Sequence, residues 1–175
     1  MATSGEWLAL LQESSYRSAG AGVRASYPQA QAMDAAALAA FLDEVRYGVL
    51  ATSRPDGRAH ATPIGFVHFE RALWIASAAG ARLRNLRHLP YAALVVTDGE
   101  GRSHRAVIVE GDVRLHRKFE DVPEEVPLVW RDRYGSEPSW TVAFIELLPT
   151  RLFSFRARPP TGPSSRDSQQ VPAAW

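Results

Sequence analysis

Apolar and polar residues alternate along several short stretches of the chain, and turn-forming residues separate these stretches. A period of two predicts β-strands, because successive side chains of a strand point to opposite faces. Between the first two stretches, Arg54-Pro55-Asp56-Gly57 is typical of a hairpin turn, since proline presets φ and glycine accepts a positive φ. The predicted strands are Val49–Ser53, Ala59–His68, Ala72–Ser77, Tyr91–Thr97, His104–Leu115, Trp140–Leu147 and Thr150–Arg156.

Local features refine this strand pattern. The segment Phe69-Glu70-Arg71 predicts a second chain reversal, and Leu148-Pro149 joins the last two predicted strands. Tyr91–Thr97 is almost continuously apolar, which indicates a strand covered on both faces. Gly111 lies inside the long strand and predicts a bulge or a close approach by another backbone segment.

Apolar residues at helical spacing predict three further elements. Asp34 is a suitable N-cap for the first of them, and Gly48 follows it where a C-cap glycine is expected. Pro90 ends the second, which is short and basic. The predicted helices are Asp34–Arg46, Gly80–His88 and Val126–Tyr134.

This order of elements predicts a mainly β domain with peripheral helices. Its six or seven largely antiparallel strands favour a closed or partly closed barrel over residues 34–157. Residues 1–33 are interpreted as an extension or linker with one helical turn at Glu6–Gln12, and residues 158–175 as a disordered tail. Gly20–Ala25 superficially resembles a dinucleotide fingerprint, but no predicted strand precedes it.

Composition excludes several classes of function. A net charge of +1 argues against nucleic acid as the main partner. No apolar run approaches the ~20 residues that a membrane span requires, and the first thirty residues lack the pattern of a secretory signal. The chain has no cysteine, which is consistent with a cytoplasmic location.

Few side chains suggest chemistry on their own. Arg82, Arg84 and Arg87 form either a solvated helix face or an anion site. His60 and His68 lie an even number of residues apart in one predicted strand and would share a face. A metal or haem role would need a further ligand, so ordinary strand histidines are favoured. No Ser-His-Asp spacing or carboxylate pair is present that would indicate a catalytic residue.

Several segments, taken in their order and spacing, resemble one known family. They are similar to the flavin-binding split-barrel family related to pyridoxamine 5′-phosphate oxidase, over about Asp34 to Phe155. The resemblance implies a six- to seven-stranded antiparallel split β-barrel. The matching segments are Gly48–Thr52, Pro55–Arg58, Ala61–Pro63, Leu73–Ser77, Arg82–Leu86, Pro90 and Val109–Gly111.

The resemblance also implies a cofactor and a site. Family members are typically homodimers with two cofactor sites at the subunit interface. The cofactor is usually flavin mononucleotide (FMN), in some branches the deazaflavin coenzyme F-420, and in a few members haem. The family's phosphate ligand corresponds to Arg82, with Arg84 as a second candidate. The segment beside the flavin ring corresponds to Thr62, Pro63 and Ile64, and the segment near the ribityl and phosphate groups to Ile75, Ala76, Ser77 and Ala81.

The chain departs from the family pattern at three places. No Arg-x-His motif follows the last strand, so oxidation of pyridoxamine phosphate is not expected. Thr62 replaces a basic residue beside the ring, and Ala106 replaces a glutamine. These differences weaken the case for tight FMN binding and leave two alternatives, the deazaflavin or no cofactor.

Three functions follow from the resemblance. The first is an oxidoreductase that moves a hydride between the cofactor and a small organic substrate, with no catalytic residue supplied by the protein. The second is a flavin or F-420 binding protein without turnover, and the third is a haem-handling protein. Trp130 and Trp140 are candidates for the ring slot or the dimer contact, although core packing is the favoured interpretation.

Overall fold

Seven strands form one antiparallel sheet in the computed structural model, which describes residues 4–117 and 121–157. Neighbouring strands follow the order β2-β1-β5-β6-β7-β4-β3. The outermost strands, β2 and β3, are consecutive in the chain and are joined through the buried Phe66. The sheet therefore curls into an open, split barrel, as predicted. Its strands are β1 (Tyr47–Ser53), β2 (Ala59–Gly65), β3 (Val67–Phe69), β4 (Ala72–Ser77), β5 (Tyr91–Asp98), β6 (Arg105–Arg117) and β7 (Ala143–Arg156).

Five α-helices and two short 3-10 turns lie around the sheet in the described part of the chain. The helices are α1 (Ser4–Ser18), α2 (Ala21–Ser26), α3 (Ala35–Glu44), α4 (Ala81–His88) and α5 (Glu125–Tyr134), and the turns are Gln29–Gln31 and Gly101–Ser103. Among the described residues, no helix has the length and apolar character needed to span a membrane.

The core fills the inside of the curled sheet. Asp34 accepts a hydrogen bond from the Ala37 N–H at 2.9 Å, which confirms the predicted N-cap of α3. Leu83 and Leu86 fix one face of α4 to the same core, and Asn85 is buried as well. Arg84, Arg87 and His88 are exposed. The fully buried core side chains include Leu38, Leu42, Leu50, Ile75, Leu94, Val107, Val109, Ile145 and Leu152.

Gly48 does not cap α3, and that prediction is wrong. The helix ends at Glu44 with Val45 as its C-cap, and Gly48 lies within β1. A Cβ atom at Gly48 would lie 2.8 Å from the Val95 carbonyl oxygen. The glycine is thus needed for close packing against β5, a contact that its neighbours in sequence cannot reveal.

The predicted strand Ala59–His68 is interrupted at Phe66. Its two parts lie at opposite ends of the sheet, so His60 in β2 and His68 in β3 do not share one strand face. The interruption coincides with Tyr134, whose hydroxyl accepts a hydrogen bond from the Phe66 N–H at 2.8 Å. A residue of α5 therefore stabilises the corner between β2 and β3.

The two strands predicted at the end of the domain are one strand, β7. It passes through Pro149 without ending, and its register with β6 shifts there: Glu110 pairs with Arg151 and Gly111 with Pro149, which leaves Thr150 as the extra residue. A Cβ atom at Gly111 would clash with the Leu148 carbonyl oxygen. Gly111 therefore lies at the register shift and makes the close backbone approach that its position predicts.

The N-terminal segment contains much more structure than one helical turn. Helix α1 is 15 residues long and packs on α3 and β7, with Leu8 and Tyr16 buried. Its polar residues contribute to the packing as well as its apolar ones. The segment Gly20–Ala25 comprises the N-cap and most of the short helix α2, and no strand precedes it among the described residues. The predicted tail, residues 158–175, lies outside the described residues.

Buried hydrogen bonds hold α1 to the barrel through what we call the α1 seam, formed by Gln12, Ser15 and Ser154. The Gln12 side chain donates to the Met33 carbonyl at 2.8 Å and accepts from Ser154 Oγ at 2.5 Å. Ser15 Oγ accepts from the Leu152 N–H at 2.9 Å. Because each of these buried groups has a partner, the helix is docked specifically rather than by apolar contact alone.

Candidate functional site

The candidate site is built where β4 ends and α4 begins. Arg82 lies in the first turn of α4 and is half-buried, and its Nε donates to Ser77 Oγ at 2.9 Å. Ser77 is fully buried and donates to the Ala78 carbonyl at 3.0 Å, which holds its oxygen in place. The end of β4 thus orients the guanidinium.

The Arg82 guanidinium carries a permanent positive charge. No Asp or Glu pairs with it among the residues that the structure describes. Burial lowers the pKa of Arg82 from its usual value, yet arginine remains charged at neutral pH. A half-buried cation without a carboxylate partner is an electrostatic cost that an anionic ligand would offset.

Two depressions meet at Arg82. The first, which we call the polar depression, has a volume of about 290 Å³ and is lined by His60, Thr62 and the segment 78–82. The second, the aromatic depression, has a volume of about 360 Å³, and Tyr47, Trp130, Tyr134 and Trp140 contribute its rings. Pro63 and Arg82 line both. The Arg82 cation therefore lies between the polar depression and the aromatic depression.

Strand β2 provides the side of the site that faces Arg82. It is an edge strand that pairs with β1 alone in the described structure, so backbone groups along its other edge are not used in the sheet. The Oγ1 atom of Thr62 and the Nδ1 atom of His60 are buried without a hydrogen-bond partner among the described residues. Unpaired polar groups at a concave surface are typical of a ligand site.

Helix α5 provides the opposite side of the aromatic depression. The Trp130 and Tyr134 rings are in contact, with centroids 4.5 Å apart and planes tilted by 32°, and burial raises the pKa of Tyr134 above its usual value. Arg133 donates to the carbonyl groups of Leu42, Asp43 and Val45 at the end of α3, at 2.6–2.9 Å. The helix is therefore held rigidly, which positions its aromatic rings.

The structure brings together most of the predicted site residues. Thr62, Pro63, Ile64, Ala76, Ala81 and Arg82 line one or both depressions. Ser77 lies behind Arg82 as its hydrogen-bond partner. Ile75 is in the barrel core, and Arg84 is exposed and lines neither depression.

Sequence reasoning missed part of the site. It considered His60 as an ordinary strand residue, and it did not consider Tyr47 or the role of Arg133. Trp130 and Tyr134 are four residues apart on α5, a spacing that brings their rings together. Trp140 is about half exposed and lines the aromatic depression, whereas Trp130 both lines it and packs in a core cluster.

Solved structures of other proteins share this fold. A conserved hypothetical protein from Mycobacterium tuberculosis is 22% identical with a TM-score of 0.66, over 80% of this chain and 98% of that chain. The FAD binding protein from Mycobacterium smegmatis is 23% identical with a TM-score of 0.54, over 73% and 98%. A protein described as an F-420 reductase is 25% identical with a TM-score of 0.51, over 65% and 93%.

No curated protein matches the chain. A family model described as pyridoxamine 5′-phosphate oxidase matches residues 35–153, which include β1 to β6, α4 and most of β7. This match spans more than half of the chain and both sides of the candidate site. The chain therefore belongs to the pyridoxamine 5′-phosphate oxidase family.

Proposed function

We propose that the protein is a homodimeric oxidoreductase that binds FMN, or alternatively coenzyme F-420, and exchanges a hydride with a small organic molecule. The observation that carries this proposal is Arg82, a half-buried cation with no carboxylate partner among the described residues, placed between the two depressions. The FAD binding protein and the F-420 reductase that share the fold support the class of cofactor.

Arg82 is suited to the anionic end of such a cofactor. A guanidinium can donate two parallel hydrogen bonds to phosphate oxygens. The first helical bond of α4 is donated by the Arg84 N–H to the Gly80 carbonyl, so the N–H groups that precede it point out of the start of the helix. These donors and the helix dipole favour an anion in the polar depression.

The open edge of β2 is suited to the ring. A flavin or deazaflavin has a flat tricycle with a polar edge, which requires an apolar slot and a few donors and acceptors. Thr62 Oγ1 has no partner among the described residues, and Pro63 and Ile64 continue along the same strand to the aromatic depression. We assign the ring contacts to these three residues.

An apolar sheet face beside the site supports the dimer. On β5, Ala92, Leu94 and Val96 are buried, whereas Ala93 and Val95 on the other face are half-exposed within one subunit. Val95 is paired with Val49, which is 43% exposed. The near-continuous apolar sequence of β5 is explained if a second subunit covers this face.

The bound cofactor would supply the hydride chemistry, and the protein would bind, orient and exclude water. In the described structure, the side chains that line the two depressions include His60 and Tyr134 but no carboxylate. The missing Arg-x-His motif argues against pyridoxamine phosphate as substrate. A chain without cysteine suits the reducing cytoplasm, where we place the protein.

The same lack of carboxylates favours a second candidate, a protein that binds the cofactor without turnover. The two functions share the site and differ in the outcome of an assay. A binding protein would hold the cofactor but would not oxidise reduced nicotinamides or reduced F-420 with any acceptor. Haem, the third possibility, would give a different absorption spectrum.

Mass spectrometry and absorption spectroscopy of the purified full-length protein test the proposal. We expect a band near about 450 nm for FMN or near about 420 nm for F-420, the ordinary absorption of these chromophores. We also expect either cofactor to bind the cofactor-free protein and to undergo turnover with an added reductant. Failure of FMN and F-420 to bind, or a Soret band instead, would overturn it.

A further inference from the structure

His60 lies in the polar depression but has no role in the function proposed above. It is separated from Thr62 by one residue, so both side chains project from the same face of β2. The His60 ring is half-buried, and Nδ1 has no partner among the described residues. An unpaired buried nitrogen is costly, so stability alone does not explain a histidine here.

Among the described residues that line the polar depression, Arg82 is the one with a permanent charge. Across the sheet, β1 presents Thr52, which is neutral and accepts a hydrogen bond from the Asn85 amide of α4 at 3.0 Å. Segment 78–81 has only alanine and glycine side chains. In the neighbouring hairpin, Asp56 and Arg58 pair with each other at 2.6 Å.

We infer that His60 is a second ligand for the cofactor phosphate, and that it makes the depression bind a phosphate monoester more tightly as the pH falls towards 6. This inference rests on the proposed function, since it concerns the anionic end of the same cofactor. Arg82 contributes one fixed positive charge, and an imidazolium at His60 contributes a second that matches the dianion of a monoester.

The pH dependence follows from proton linkage. Histidine is the side chain that ordinarily changes charge between pH 5 and 8. A phosphate monoester keeps most of its second negative charge above about pH 6. A bound dianion therefore favours the protonated imidazole, binding takes up a proton from solvent, and affinity increases as the pH decreases from about 7.5 to 6.

Titration of cofactor-free, full-length protein with FMN at several pH values tests this inference. We expect the dissociation constant for FMN to fall about five- to tenfold between pH 7.5 and pH 6, because the uptake of one proton on binding changes the affinity by at most about tenfold per pH unit. Riboflavin, which has the ring but no phosphate, should show no such change. Coenzyme F-420, whose phosphodiester carries a single charge, should vary less than twofold.

The variant His60→Gln keeps an N–H donor but cannot titrate, so its FMN affinity should not vary with pH. Thr62→Val is the matched control on the same strand face, and it should retain the wild-type pH dependence. If the glutamine variant does not fold, the imidazole NMR signal of His60 in the wild-type protein replaces it. At a fixed pH near 7, that signal should move when FMN binds and should not move when riboflavin binds, and an unchanged signal with FMN would overturn the inference.

The failure of this inference is distinguishable from the failure of the proposed function. If Arg82→Gln weakens FMN binding but His60→Gln retains the wild-type pH dependence, the role assigned to His60 is wrong, whereas the proposed cofactor site at Arg82 is still supported. If Arg82→Gln binds FMN as tightly as the wild type, the site itself is wrong, and the inference falls with it. Equal pH dependence for riboflavin and FMN would also overturn the inference.

Discussion

The α1 seam and the polar depression both bury polar groups, but they differ in whether these groups have hydrogen-bond partners. In the seam, the side chains of Gln12, Ser15 and Ser154 all have hydrogen-bond partners. In the depression, His60 Nδ1 and Thr62 Oγ1 lack a partner among the described residues, and the Arg82 cation has no carboxylate partner. Both regions belong to one subunit. The seam is built from amide and hydroxyl side chains, whereas the depression contains an imidazole, a hydroxyl and a guanidinium.

This difference indicates which region is structural and which binds a ligand. A satisfied buried hydrogen bond contributes modestly to stability, whereas an unsatisfied group costs about 1–3 kcal/mol. Evolution retains such a cost where function requires it. We therefore expect substitutions in the seam to lower stability with little effect on the cofactor, and substitutions in the depression to do the reverse.

The largest expected effect is at Arg82. Replacing it with glutamate should weaken cofactor binding by about 2–5 kcal/mol, because attraction to a phosphate becomes repulsion. Titration of the cofactor-free variant measures this loss, and its melting temperature should stay close to that of the wild type. The exposed Arg84, which lines neither depression, supplies the control Arg84→Glu. An equal loss in both variants would point to general electrostatics instead of a specific contact.

The second largest expected effect is a loss of stability when the hydrogen bonds of the α1 seam are removed. In the wild type, Ser154 Oγ accepts a hydrogen bond from the Met33 N–H at 2.8 Å and donates one to the Gln12 side chain. Ser154→Ala removes both hydrogen bonds. Because buried groups are left unpaired, the free energy of unfolding should fall by about 1–3 kcal/mol. Urea denaturation measures it. Cofactor affinity should not change, and a parallel loss of affinity would mean that the two regions are coupled.

An intermediate case lies at the start of α1, where the Trp7 and His68 rings are 5.8 Å apart and their Nε1 and Nε2 atoms have no partner among the described residues. Burial lowers the pKa of His68, against a smaller opposing effect of Asp43. The unfolded chain thus binds a proton at higher pH than the folded one. Stability should fall as the pH decreases below about 6.5, by up to about 1.4 kcal/mol per pH unit from this residue.

Urea denaturation between pH 5 and 7.5 measures this dependence. His68→Leu should reduce the loss of stability at low pH, because the variant has no imidazole to protonate at this position. His88 is exposed, so His88→Gln is the control and should retain the wild-type profile. A wild-type profile in the leucine variant as well would assign the pH dependence to other groups.

The smallest expected effect is at Thr62. Thr62→Val removes a hydroxyl that has no partner among the described residues and keeps the shape of the side chain. Stability should therefore stay the same or rise slightly, while cofactor affinity should fall by about 0.5–1.5 kcal/mol, the net value of one hydrogen bond. Thermal unfolding and cofactor titration on the same sample measure both. If Thr62→Val instead lowered stability and left cofactor affinity unchanged, Thr62 would be a structural residue like those of the α1 seam.

Local residue patterns predicted much of the fold. The turn at Arg54–Gly57 forms with a hydrogen bond from the Gly57 N–H to the Arg54 carbonyl at 2.9 Å and a positive φ at the glycine. The N-cap at Asp34 and the register shift at Gly111 are also where the sequence places them. Each of these features depends on residues close in the chain or on the backbone freedom of one glycine.

The candidate site was predicted in part, and only through resemblance to a family. Arg82 and the segment Thr62–Ile64 were assigned in this way, and the structure places them together. Composition and spacing alone did not separate Arg82 from the exposed Arg84. Burial and the contact with Ser77 distinguish the two, and neither is visible in a run of basic residues.

By itself, then, the sequence determined the type and order of most elements, because hydrophobic period, caps and turns act over a few residues. The tertiary structure decided which of these elements meet. It placed Gly48 against β5, ended β2 at the hydroxyl of Tyr134, and docked α1 on β7. It also brought His60 to the same depression as Arg82. These contacts join residues far apart in the chain, and their energies depend on burial that no local pattern contains.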